Sequence, residues 1–168
     1  MIALRILDQK EFTRHLFIGN IFHPFLLCEA TITTFNTFHI DGSLKKSFYT
    51  EEEQEAMHLD SRDFSTWEEC KPFSFSIIKG KHTPLHFKII FQLSKRDMER
   101  FLISSGVSMS PEDLFGLYLN ITFDGTNLIC TTGSSIKTFT LDKTLDNSWD
   151  LWVTTFFKQN GIASEKVS

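Results

Sequence analysis

A stretch that occurs twice constrains this chain more than any other feature. Leu7–Asn20, LDQKEFTRHLFIGN, aligns without a gap with Leu93–Gly106, LSKRDMERFLISSG, at an offset of 86 residues. Leu7 matches Leu93, Arg14 matches Arg100 and Leu16 matches Leu102. Asp8 and Ser94 are both N-cap residue types, and each is followed three positions later by an acid, Glu11 and Asp97. Phe12 and Leu16, like Met98 and Leu102, lie one helical turn apart. A cap, an acid at the third position and an apolar i, i+4 pair spell a short amphipathic helix with one face for a core.

The echo extends beyond the helix. Asp41-Gly42 answers Asp124-Gly125 at an offset of 83, Thr66-Trp67-Glu68 answers Ser148-Trp149-Asp150 at 82, and Phe75 answers Phe157 at 82. That drift needs only two small changes in loop length. The chain therefore divides into a first repeat, 1–80, and a second, 81–163, fused into one compact domain, with 164–168 as a frayed tail.

Strand patterns fill the space between these landmarks. Ile2–Leu7 and Leu85–Leu93 read as the two opening strands. From Leu26 the even positions are Leu26, Cys28, Ala30, Ile32, then Phe38 and Ile40, and the odd ones are Glu29, Thr31, Thr33, Thr37 and His39. Such alternation predicts a half-buried sheet, apolar inside and Thr-rich outside. Asp41-Gly42 and Asp124-Gly125 read as hairpin turns. A third strand is expected over Leu44–Tyr49, and the acidic run 51–63 is expected as a short helix or a loop. Leu117, Leu119, Ile121 and Phe123 alternate with polar residues in another strand. Leu128–Thr132 and Ile136–Leu141 read as strands around Gly133-Ser134-Ser135. A helix starting after Ser65, kinked or restarted at Pro72 and stopped at Gly80, closes the first half. A helix capped by Asn147, over 148–160 and stopped at Gly161, closes the second.

Each half then reads β-α-β-β-β-α. Two such halves predict an α+β fold with pseudo-two-fold symmetry, a mixed or antiparallel sheet and helices on one face. This element order resembles the duplicated saddle of the TATA-binding-protein-like fold. It is similar, less closely, to one domain of a sliding clamp, whose half-repeats lack the closing helix. The strings IALRILDQKEF, LLCEATITTFNTFHIDG, FYTEEEQE and IIKGKHTPLHFKIIFQLS resemble a small family from Gram-positive anaerobes known as a domain of unknown function. That resemblance covers most of the chain and implies no activity.

Composition narrows the function classes. The 168 residues carry a net charge of −4 and a mean hydropathy of −0.11, values of a globular protein soluble in water. Eighteen Phe mean that aromatic rings fill much of the core. Residues 1–80 hold 8 Lys and Arg against 12 Asp and Glu; residues 81–168 hold 9 against 9. Neither half is basic, so a nucleic-acid partner is not expected on charge grounds. Cys28, Cys70 and Cys130 show neither a disulfide framework nor metal spacing, which points to the reducing cytoplasm. No signal peptide and no membrane span are expected, and hence no membrane partner.

Two candidate surfaces emerge. One is the outward sheet face, Thr31, Thr33, Thr37 and His39 in the first half with Asn120, Thr122, Thr131, Thr138 and Thr140 in the second. It would form one polar, nearly uncharged sheet able to bind an extended partner. High strand propensity of Thr accounts for the same residues without a partner. The other is the basic cluster Lys79, Gly80, Lys81 and His82, where amides after a glycine and flanking lysines could hold an anion. A helix that closes on Lys79 before a linker accounts for the cluster without any anion and is the reading favoured for it. His82 and His86 are separated by Pro84 and do not make a helical metal pair. No phosphate-loop, serine-elbow or HExxH motif is present, so no cofactor is expected. These observations favour a non-enzymatic binding module whose partner is a protein. A nucleic-acid-binding saddle is the alternative, and an enzyme with a site assembled from distant residues a third.

Overall fold

The structure, a computed structural model, describes residues 1–167. Eight strands form one open sheet: β1 Ala3–Ile6, β2 Phe25–Thr33, β3 Thr37–Asp41, β4 Ser65–Thr66, β5 His86–Leu93, β6 Leu114–Phe123, β7 Leu128–Ile136 and β8 Ser164–Lys166. Five helices accompany them: α1 Gln9–Phe17, α2 Glu51–Ala56, α3 Trp67–Ile78, α4 Lys95–Ser105 and α5 Thr144–Gln159. The α+β class expected from the sequence is the observed one, and every strand pair is antiparallel.

The repeated stretch folds as its residues dictate. Asp8 caps α1 by accepting from the Glu11 N–H at 3.1 Å, and Ser94 caps α4 by accepting from the Asp97 N–H at 3.3 Å. Each ties down one of the free amides of a helix start. The apolar positions then turn inward: Phe12, Leu16 and Phe17 from α1, and Met98, Phe101 and Leu102 from α4. Thr66 caps α3 with a full capping box on Glu69.

One core lies between the helices and one face of the sheet. Phe87, Ile89, Phe91, Leu119, Ile121 and Cys130 point into it from the central strands. Aromatic rings join the layers. Phe17 of α1 meets Phe87 edge-on at 5.6 Å, Trp67 of α3 meets Phe91 at 5.1 Å, and Phe101 of α4 meets Trp149 of α5 at 5.7 Å. The Phe load is thus spent largely on the interface between helices and sheet, where flat rings pack closely.

Strand order departs from the expected two-fold. The order is β3-β2-β5-β6-β7-β1-β8, with β4 beside β2. The opening strand of the second half, β5, lies between β2 and β6; that of the first, β1, lies between β7 and β8. The two halves therefore do not occupy equivalent places in the sheet, as a symmetric saddle would require. Length supplies a physical reason. β5 has 8 residues and matches the 9 of β2 and the 10 of β6, whereas β1 has 4 and satisfies few backbone groups in a central position.

Other expectations need correction. Leu44–Tyr49 is not a strand: Ser43 makes a single bridge to Phe64, and Lys46–Phe48 is a 3₁₀ turn. Glu51–Ala56 is a helix, started by a Thr50–Glu53 capping box, and the following turn buries Leu59. Gly133-Ser134-Ser135 does not break β7; these residues pair with Tyr118, Leu117 and Gly116 and the strand ends at Ile136, where its partner β6 begins. The last helix starts at Thr144 rather than Ser148, and its buried face still contains Trp149, Val153 and Phe157. Of the residues expected as a tail, Ser164–Lys166 form β8 against β1 and the Val167 N–H donates to the Ala3 carbonyl at 2.8 Å, while Ser168 lies outside the described residues.

Within β2 the simple alternation fails at Cys28. The register against β5 shifts between Leu27 and Glu29, so Phe25 and Leu27 share the inner face with Ala30 and Ile32, and Cys28 is the extra residue of a bulge. Gly42 nestles against that bulge. Its N–H donates to the Cys28 carbonyl at 2.9 Å, and a Cβ there would lie 1.7 Å from the Leu27 carbonyl oxygen.

Candidate functional site

The face of the sheet turned away from the core is built by strand register. Thr33 stands opposite Thr37, Thr31 opposite His39 and Glu29 opposite Asp41. On the other side Thr31 faces Lys88, which faces Thr122, and Ile90 faces Asn120, which faces Thr131. Seven of the nine expected face residues are thereby brought onto one surface that crosses both halves. Thr138 and Thr140 are not: they follow the end of β7, and the Thr140 hydroxyl accepts from the Asp142 N–H at 3.1 Å in a loop.

Cross-strand pairs order part of this surface. Thr31 Oγ1 lies 3.1 Å from His39 Nδ1, and the Thr33 and Thr37 hydroxyls lie 3.0 Å apart. Such pairs are the ordinary stabilising unit of a sheet. Charge on the face was missed by sequence reasoning, which placed no Lys or Arg there. Lys88 occupies its centre, and Arg5 of β1 pairs with Glu165 of β8 at 2.9 Å. Glu29 and Asp41 oppose them. The Ser43 N–H donating to Asp41, seconded by Lys45, holds that carboxyl down at about 2, so it stays ionised. The lysine was legible in principle: Phe87, Ile89 and Phe91 are the inward set, which turns Lys88 outward.

The thiols are poor nucleophiles. Burial, with Glu29 adding to it, pushes the Cys28 thiol up to about 11; burial also raises Cys70 and Cys130. Cys28 donates to Gln92 Oε1 at 3.7 Å beside Tyr118, whose ring covers Gly116. Protonated thiols do not attack. Among the described residues no group of three or more His, Cys, Asp and Glu is placed to hold a metal ion.

The basic cluster lies elsewhere. Lys79, Gly80, Lys81 and His82 line one side of a groove of about 940 Å³, and α1 forms the opposite side. Its apolar lining comes from Phe17 at the end of α1 and Ile18 just after it, Phe75 and Ile78 on α3, and Phe87, Phe123 and Leu128 from the ends of β5, β6 and β7. Gly80 has φ +130°, which only glycine adopts without strain. Among the described residues the N–H groups of Gly80, Lys81, His82 and Thr83 donate to no backbone acceptor. Arg14 is held by Glu11 at 2.5 Å, and Asp8 is occupied as a helix cap. Lys10, Lys79 and Lys81 form no ion pair with any described residue. Sequence reasoning found the four residues of the cluster and missed the groove, because α1 lies some seventy positions away in the chain.

No described helix is long and apolar enough to cross a membrane. A family model described as a family of unknown function (DUF5721) matches residues 15–165. No curated protein and no solved structure matches the chain.

Proposed function

Since the chain belongs to the family of unknown function DUF5721, we propose on geometry alone that it is a non-enzymatic binding module holding a protein partner on its outward sheet face. The observation that carries this reading is the register that aligns Thr31, Thr33, Thr37 and His39 with Thr122, Asn120 and Thr131 across β3, β2, β5, β6 and β7. Short hydroxyl and amide side chains there give an extended segment donors and acceptors at strand spacing. The raised thiols support binding over covalent chemistry, and free cysteines support a cytoplasmic setting.

A photo-crosslinking amino acid at Thr122 tests this. The expected result is a discrete adduct from Thr122 in cell extract, and none from the same probe at Leu151, which is 67% exposed on the helical layer. Equal labelling from both positions overturns it.

Lys88 favours the nucleic-acid reading, since it sits at the centre of the face. Glu29 and Asp41 lie on the same face, Glu165 is paired with Arg5, and strong salt-dependent binding needs about 6–10 phosphate contacts. We expect no duplex or single-stranded DNA binding tighter than about 100 μM at physiological salt, the weak end of non-specific affinity. Micromolar binding that falls steeply with salt, measured by fluorescence polarisation, would put that reading first.

A further inference from the structure

We propose that the groove between α1 and the 79–84 connector binds a single-chain amphiphile with a phosphate head group. This site is separate from the sheet face and its fate does not depend on it. The floor is apolar and partly open: Ile18 is 62% exposed, and Phe75 and Ile78 are half-buried. A soluble protein leaves such a surface in a concavity chiefly where something covers it. The rim is cationic. Lys10, Lys79 and Lys81 border the groove, while its two carboxylates are taken up by Arg14 and by the cap of α1.

Charge complementarity selects the occupant. An uncharged apolar ligand would use the floor and leave three solvated ammonium groups without a role. A free anion would use the lysines and leave the floor exposed. One molecule with a tail and a doubly charged head uses both. The free N–H groups from Gly80 to Thr83 add donors of the kind that phosphate oxygens accept. The volume of about 940 Å³ is at the upper end of ordinary small-molecule sites, which run from about 300 to 1,000 Å³.

Titration of the full chain with dodecyl phosphate below its micelle concentration tests the proposal. Expected is saturable binding of one equivalent that tightens about ten-fold for every two methylenes added to the tail. Inorganic phosphate and dodecanol should each bind at least ten-fold more weakly, and dodecanoate more weakly than dodecyl phosphate. The double variant K79E/K81E and the single variant I18E change exposed side chains, so the fold survives, as circular dichroism will check. Each should weaken dodecyl phosphate at least ten-fold. Equal binding of inorganic phosphate, equal binding of dodecanol, or binding indifferent to both variants overturns the proposal. So does binding to anionic phospholipid vesicles without binding of monomeric dodecyl phosphate.

Discussion

The two halves of the molecule use the same local signals for different tertiary ends. β1 leads into α1 and β5 leads into α4 through equivalent caps, yet β5 is central and β1 lies next to the short edge strand β8. The Asp-Gly pairs diverge in the same way. Gly125, at φ +98°, makes the β6–β7 turn, with Asp124 accepting from the N–H groups of Thr126 and Asn127. Gly42 makes no hairpin; it is buried where a side chain would strike β2. A repeat in sequence is therefore a repeat of local instructions. Which neighbour each copy meets depends on strand length and on what else competes for the same edge.

The tryptophans offer the largest test of this comparison. Trp67 and Trp149 are both fully buried, and each ring N–H finds a backbone carbonyl: Trp67 reaches Leu16 of α1 at 2.8 Å, and Trp149 reaches Tyr118 of β6 at 3.0 Å. Replacing either by Ala should cost about 3–5 kcal/mol in urea denaturation. A loss under about 1 kcal/mol at one of them would mean that only the other closes a core.

The glycines come next. Gly42→Ala should cost about 3 kcal/mol or more, since backbone must move to admit the methyl group. Gly125→Ala should cost only about 1–2 kcal/mol, the penalty of a left-handed conformation. Equal costs would make the two dipeptides equivalent after all.

Truncation after Ala163 probes the opening strands. Removing β8 leaves β1 with β7 as its only partner, and stability should fall by about 1–2 kcal/mol, the scale of a few backbone hydrogen bonds. Amide exchange should then quicken in β1 and stay slow in β5. Unchanged stability and exchange would return 164–168 to the status of a tail.

The smallest effect concerns a clamp found in the first half. Lys71 Nζ donates to the Gly19 carbonyl at 2.5 Å and lies 2.8 Å from His23 Nε2. Burial, and then Lys71, lower the His23 pKa; Glu68 opposes them. The folded state thus prefers neutral His23 while the unfolded chain takes up a proton near its usual value of about 6.5. Stability from this site is full above that value and is lost as pH falls from there through the lowered folded pKa. The loss should stay under about 1 kcal/mol because the ring is partly solvated. His23→Gln should flatten the stability profile in that window, and an unchanged profile would show that the titration lies elsewhere.

What the sequence by itself determined is local. The caps at Asp8, Ser94 and Thr66 and the inward face of α5 each depend on residues within a turn or two of one another. So does the outward turn of Thr31 and Thr122, because a strand alternates every second residue. The tertiary structure decided what depends on partners far along the chain. The strand order rests on which long edges can satisfy each other's backbone groups, and the reach of β7 through Gly133 to Ile136 rests on where β6 starts. The bulge at Cys28 shifts the face of Leu26 and Leu27 without any mark in the hydrophobic pattern, since all three residues are apolar. The candidate sites follow the same division. Threonines on a wet face and lysines after a helix can be read from neighbours in sequence. The placement of Lys88 among those threonines, and of Lys10 across a groove from Lys79 and Lys81, exists only once distant segments pack together.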